Sequence, residues 1–217
     1  MISFTRRNIG LASGMATAVM LTAGSMIMFS ADAAPLAEPG QVAPAISEAM
    51  TSTGETISLS DFEGKTVVLE WTNDGCPFVK KHYAEPVTNF QAMQSDAAED
   101  DVVWLSVISS APGKQGHTDG AGAEAINAAR GAAPTYTIMD PAGDIGRAYS
   151  AKTTPHMFVI KGDGEIAYAG AIDSIRSSKV DDIAEATNYV TAALESVAAG
   201  EPVEIDSTAP YGCSVKY

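Results

Sequence analysis

The chain has 217 residues, 46% of them hydrophobic, and its 13 basic and 27 acidic side chains leave a formal net charge of −14. No basic patch interrupts that acidity, which disfavours nucleic acid and anionic membranes as partners. There are only two cysteines, Cys76 and Cys213, and in an oxidising compartment their plainest use is a single disulfide.

Residues 1–33 read as an export signal. Arg6 and Arg7 form its charged start, 9–29 is an apolar stretch, and Ala31-Asp32-Ala33 is a small-residue cleavage site. The apolar stretch is close to the roughly 20 residues of a membrane span, so an uncleaved anchor is the competing reading. The run from Thr5 to Leu11 also resembles a twin-arginine signal, which leaves the route open. A periplasmic or secreted protein is expected, with no membrane contact once the signal is removed. The remainder divides into one domain, 34–200, and a tail, 201–217, that carries Cys213.

Residues 34–56 form an extended lead-in, and 66–71 (TVVLEW) a buried strand. From Pro77 to Gln94 the spacing of Val79, Tyr83, Val87, Phe90 and Gln94 predicts one helix, kinked at Pro86 because proline cannot donate back to His82. Residues 102–108 (VVWLSVI) are a second strand whose unbroken apolarity implies cover on both faces. A Gly/Ser/Pro-rich loop, a helix of small residues over 123–132, a strand over 135–139 and a short helix over 144–149 follow. Residues 156–161 and 165–170 form a hairpin about Gly162-Asp163-Gly164, and 180–199 are a last helix. Strand–helix alternation with a terminal hairpin predicts an α/β domain with a central mixed β-sheet flanked by helices.

Cys76 follows a strand and precedes Pro77, the residue type favoured at the first helical position. It therefore caps a helix whose N–H groups stabilise a thiolate, the nucleophilic form of cysteine. Polar Asn73 and Asp74 beside it argue for an accessible sulfur. Asp74 opposes the thiolate, and Lys80 and Lys81 support it if they point back. Thr72 and Asn73 are candidate hydrogen-bond partners of a substrate oxygen or of the thiolate; equally, they satisfy loop backbone groups. Cys213, in a Gly/Pro-rich tail that suits a mobile thiol, either resolves a sulfenic acid on Cys76, staples the tail in a structural disulfide, or pairs with another chain. His82 reads as half-buried and His117 as exposed. Cys76, His82 and His156 are the ligand set a copper-handling protein would use. No metal or organic cofactor is expected, since neither Asp140–Asp144 nor Gly162–Gly164 has calcium-ligand spacing and no phosphate-binding glycine motif is present.

The order of elements, the helix-capping Cys76 and the Thr154-Pro155 step ahead of the hairpin resemble the thioredoxin fold. Within it, Trp71–Tyr83 (WTNDGCPFVKKHY) and the terminal GCSVKY are similar to exported peroxiredoxin-like redoxins of the AhpC/TSA group. The resemblance implies a cis Thr154–Pro155 bond facing Cys76, with the backbone ahead of the proline pairing with whatever binds the sulfur. It implies a thiol oxidoreductase or antioxidant protein, in which Cys76 attacks a peroxide or a disulfide, Cys213 resolves the product, and Thr72, Asn73, Thr154 and Pro155 hold the substrate. Val79 stands where thioredoxins carry a second cysteine. Partners would be a small peroxide, a protein disulfide or a thiol reductant, and a homodimer is allowed. The alternatives are a non-catalytic binding module and a copper-handling protein, either with a Cys76–Cys213 staple.

Overall fold

In the computed structural model, the described residues are 37–217, so the expected export signal lies outside them. The lead-in forms β1 (Ala49–Met50) and β2 (Thr56–Ile57), a small antiparallel pair. Then follow β3 (Val67–Trp71), α1 (Pro77–Tyr83), α2 (Asn89–Glu99), β4 (Val103–Ile108), α3 (Gly120–Ala129), β5 (Tyr136–Met139) and α4 (Asp144–Ala148). The chain continues with β6 (Thr153–Thr154), β7 (His156–Ile160), β8 (Ile166–Gly170), α5 (Tyr189–Ala199) and β9 (Cys213–Ser214). No helix among the described residues is long and apolar enough to cross a membrane.

The main sheet has the order β5-β4-β3-β7-β8. β3, β4 and β5 are parallel, whereas β7 and β8 join antiparallel. This is the mixed sheet expected from the alternation of elements. Every residue of β3 and β4 is buried because helices and loops cover both faces. Successive side chains point to opposite faces. Val67, Leu69 and Trp71 therefore pack with Leu105, Phe158 and the lead-in residues Ile46 and Ala49. Val68 packs on the other face with Trp104, Met157, Tyr168 and residues of α1, α2 and α5. Cys76 belongs to that second layer.

Three elements differ from expectation. The helix predicted over 77–94 is two helices, separated at Ala84–Thr88 around a cis Glu85–Pro86 bond. Pro86 ends the first helix rather than kinking a continuous one. The Gln91 side chain bridges the break, donating to the carbonyls of Tyr83 at 2.9 Å and Arg130 at 2.8 Å. The last helix begins at Tyr189, where the Asn188 side chain accepts from the amides of Val190 and Thr191, both at 3.1 Å. A separate single turn covers Val180–Ile183. Asn is a preferred N-cap because its side chain satisfies the free amides of the first turn.

The third difference is the tail. Instead of a mobile segment it is docked along its length. Ala169 N–H donates to Asp206 O at 3.0 Å, and Thr208 N–H returns to Ala169 O at 3.2 Å. β9 pairs antiparallel with β6, with Thr154 opposite Cys213 and Thr153 opposite Ser214. Ala111 N–H donates to Lys216 O at 2.8 Å. The hydrogen-bonding edge of β6 and the apolar side of Tyr211 explain why a Gly/Pro-rich composition does not leave this segment free.

Candidate active site

Cys76 caps α1, with Pro77 in the first helical turn, as the Cys-Pro step predicts. The loop ahead of it is held by Asn73. Its Oδ1 accepts from Gly75 N–H at 2.8 Å, its Nδ2 donates to Gln115 O at 3.1 Å, and its carbonyl accepts from Cys76 N–H at 3.0 Å. Thr72 is buried, and its hydroxyl accepts from Arg130 at 3.5 Å. Asn73 uses both of its side-chain polar atoms to shape the loop, whereas the Thr72 hydroxyl meets Arg130.

The Cys76 sulfur meets the other half of the predicted site. Its thiol donates to the carbonyl of Thr154 at 3.0 Å. The Thr154–Pro155 bond is cis. β3 and β7 are adjacent antiparallel neighbours, with Trp71 opposite His156. The strand that delivers Cys76 and the strand that begins after Pro155 thus end side by side. Thr154 also carries Cys213 opposite it in the β6–β9 pair, and its hydroxyl donates to the Cys213 carbonyl at 3.5 Å. The structure therefore brings together Cys76, Thr154, Pro155 and Cys213, residues spread over the length of the sequence. Both cysteines are free thiols.

Two opposed effects act on Cys76. Burial penalises its charged form and is the largest single influence. The polar contacts around the sulfur, Cys213 first and Thr154 next, together outweigh it and hold the thiol below its ordinary 9.0. Cys213 moves the other way, pushed up to about 11 by burial and by its hydrogen bond and proximity to Cys76. Of the two, Cys76 is therefore the thiol that ionises more easily and the better nucleophile.

The expectation of an accessible sulfur is corrected. Cys76 is 0% exposed. The polar loop beside it faces solvent at Asp74, but the sulfur is turned inward against Thr154 and the docked tail. The expected support from Lys81 is corrected as well. Lys81 is buried and tied to Asp173 at 3.1 Å, to Tyr211 Oη at 3.2 Å and to Ile175 O at 3.3 Å. Lys80 is exposed.

His82 is fully buried, not half-buried, with its ring edge-on to Phe90 and its Nε2 3.6 Å from Asp173. His156 packs on the opposite face of the sheet, against Trp71 and Phe158. Burial holds both imidazoles down to about 3, helped by Lys81 and Lys152 respectively. The copper ligand set of Cys76, His82 and His156 is therefore divided by the sheet, and no cluster of three metal-ligating side chains occurs among the described residues. His117 is exposed, as its Gly-rich surroundings imply.

Three buried polar residues, Glu70, Asp173 and Tyr211, were not singled out in the sequence, and Lys81 was expected in another role. Glu70 is completely buried under α1 and α2, accepting from Tyr83 at 3.0 Å, Trp104 Nε1 at 2.9 Å, Ser106 at 3.2 Å and Gln94 at 3.3 Å. Lys81, Asp173 and Tyr211 form a second buried polar group, in which the Tyr211 hydroxyl donates to Asp173 Oδ1. Lys81 had a readable signal: it lies three residues after Phe78 and so shares its apolar face. Tyr211 and Asp173 had none, because their partners lie far away in sequence.

A family model described as Redoxin matches residues 38–187. Among solved structures, an uncharacterised conserved protein from Geobacillus kaustophilus is 20% identical, with a TM-score of 0.70 over 84% of this chain and 93% of its own. A hypothetical protein from Sinorhizobium meliloti 1021 is also 20% identical, with a TM-score of 0.62 over 82% and 94%. The thioredoxin domain of a thiol-disulfide oxidoreductase from Bacteroides vulgatus is 19% identical, with a TM-score of 0.48 over 68% and 95%. No curated protein matches the chain. With a thioredoxin-like mixed sheet, a cysteine capping the helix after its central strand and a family match over most of the chain, this protein belongs to the Redoxin family.

Proposed function

We propose that the protein is a thiol oxidoreductase whose working unit is the Cys76–Cys213 pair, cycling between dithiol and disulfide. One observation carries this reading: Cys213 lies opposite Thr154, the residue whose carbonyl accepts from the Cys76 sulfur, and both cysteines are free thiols. A staple would need only proximity. The lowered Cys76 thiol suits the nucleophile, and the part of the Cys213 rise that comes from the charge of Cys76 is lost once Cys76 is oxidised, which eases attack by Cys213.

With a hydroperoxide, the Cys76 thiolate attacks one oxygen, an S–O bond forms as the O–O bond breaks, and the departing oxygen leaves as hydroxide or alkoxide. The Cys213 sulfur then attacks the sulfenic sulfur; its proton leaves with the OH group as water and the disulfide forms. With a disulfide substrate, the Cys76 thiolate attacks one sulfur as the substrate S–S bond breaks and the other sulfur leaves as a thiolate; Cys213 then attacks the Cys76 sulfur of the mixed disulfide and displaces the remaining substrate sulfur as its thiol. Both routes end on the same Cys76–Cys213 bond, which an external dithiol reduces while itself becoming oxidised. Thr154 orients the sulfur through its carbonyl. The Arg6-Arg7 start and the apolar 9–29 stretch support export, so this chemistry is assigned to the periplasm or the exterior.

The test is hydrogen peroxide consumption by the wild type, Cys76→Ser and Cys213→Ser, with mass spectrometry of the sulfur states. Cys76→Ser should abolish oxidation of the protein, and Cys213→Ser should let sulfenic acid accumulate on Cys76. A wild-type protein whose two thiols remain unoxidised by both peroxide and small disulfides would overturn the reading.

A further inference from the structure

The backbone of β6 ahead of Pro155 presents an edge of the kind on which an extended chain adds by main-chain pairing. In this protein the chain's own tail takes that edge. Residues 213–214 pair with 153–154, and the register places Cys213 opposite Thr154. Cys213 thus stands where the sulfur of an incoming polypeptide would have to stand to reach Cys76. The sulfur it covers has no exposed surface.

Two neighbouring residues fix the tail there. Tyr211 enters a buried polar pocket. Its hydroxyl donates to Asp173 and accepts from Lys81 at 3.2 Å, while Lys81 pairs with Asp173 at 3.1 Å. Its ring meets Phe78 of α1 edge-on, with centroids 5.8 Å apart, so the same helix that Cys76 caps also carries the pocket wall. Gly212 follows with a φ of +138°. A Cβ at this position would overlap the Thr154 carbonyl oxygen, so only glycine lets the tail approach β6 this closely. Tyr211 sets where the tail sits, and Gly212 sets how near it comes.

We propose that Tyr211 and Gly212 are specificity-determining residues. They latch the segment Tyr211–Ser214 over β6 as a built-in occupant of the polypeptide-binding edge, so that the reduced site reacts with small oxidants in preference to polypeptide disulfides. This rests on the Cys76–Cys213 couple proposed above. A hydroperoxide needs only a small local opening at the sulfur, and the ensuing disulfide forms with Cys213 already in position. A polypeptide disulfide needs the whole strand lifted from β6, with the Tyr211 hydrogen bonds and the β6–β9 pairing broken. The latch acts on access; the Cys76 sulfur is the nucleophile for both oxidants, attacking oxygen in one and sulfur in the other.

The experiment compares wild type, Tyr211→Phe and Gly212→Ala, each reduced and then mixed with hydrogen peroxide or with a peptide carrying one glutathionylated cysteine. Mass spectrometry follows the Cys76–Cys213 disulfide. Wild type should oxidise with peroxide at least tenfold faster, relative to an unstructured cysteine peptide, than with the glutathionylated peptide. Both variants should narrow that ratio severalfold, chiefly by reacting faster with the peptide. Tyr211→Phe keeps the ring against Phe78 and loses only the hydroxyl, so it should lie between wild type and Gly212→Ala. A native-state measurement guards against misfolded variants: in wild type, methyl methanethiosulfonate should modify Cys76 much faster than a polyethylene-glycol maleimide does, again relative to the free peptide. Equal discrimination in wild type and both variants, or no size dependence in the wild type, overturns the latch. Failure of wild type to form the disulfide with any oxidant overturns the underlying couple instead.

Discussion

The chemistry of Cys76 depends on which hydrogen bonds survive its burial. Removing a thiolate from water raises its pKa, and here hydrogen bonding, above all from Cys213, reverses that sign. Replacing Cys213 with Ala removes the thiol donor and leaves the backbone of β9 in place. A donor that favours the charged form lowers the pKa, so its loss raises it. The pH midpoint of Cys76 alkylation by iodoacetamide should therefore move upward in Cys213→Ala. The midpoint is the quantity to read, since the plateau rate also reports access. An unchanged or lower midpoint would mean that the Cys213 thiol does not stabilise the nucleophile. At this scale the sequence was a good guide to the reacting groups and a poor one to their surroundings. Cys76 and Pro155 are legible because a Cys-Pro step after a strand and a Thr-Pro step before a hairpin are local patterns. The burial of Cys76 is not, because its cover comes from a segment 137 positions away (213 − 76).

Elements were legible wherever local pattern and tertiary demand agree. Unbroken apolar runs became β3 and β4, and the Gly-Asp-Gly turn joined β7 to β8. The predicted helix from Pro77 had the right face and the wrong continuity, since the i, i+4 spacing passes across Pro86 while the backbone cannot. What holds the two halves in one layer is a polar feature that no periodicity reveals. Glu70 is the lone charge in an otherwise apolar strand. In the fold it points beneath α1 and α2 and gathers donors from Tyr83, Gln94, Trp104 and Ser106. Glu70→Gln retains the shape but leaves one acceptor oxygen where the carboxylate offered two, so Tyr83, Gln94, Trp104 Nε1 and Ser106 compete for it. Leaving a buried donor unpaired costs about 1–3 kcal/mol. Urea unfolding of the variant should show a lower midpoint by that amount with an unchanged slope. A midpoint equal to wild type would mean that the four donors find other acceptors.

On the scale of the whole molecule, the tail makes the two ends of the domain into one site. It ties to β8 through Asp206 and Thr208, to α1 through Tyr211, and to β6 through Cys213. The sheet lies between its attachment points, so the tail can hold its place only when the domain around it is folded. Oxidation adds a covalent tie across that arrangement. A Cys76–Cys213 bond closes a loop of 137 positions (213 − 76) in the unfolded chain, and the chain-entropy model assigns such a loop about 5 kcal/mol. Because Cys213 is already docked beside Cys76 in the reduced protein, the bond requires little rearrangement of the native state, and most of that gain should be retained. The guanidinium midpoint of the oxidised protein should therefore exceed that of the reduced protein, and Cys213→Ser should remove the difference. Coincident midpoints for the two redox forms would mean that the tail must distort to reach Cys76, which the β6–β9 register argues against. A stability difference of the expected size would link the redox state to the persistence of the fold: the oxidised form would resist unfolding, and the reduced form, held only by hydrogen bonds and by Tyr211, would be the one able to open.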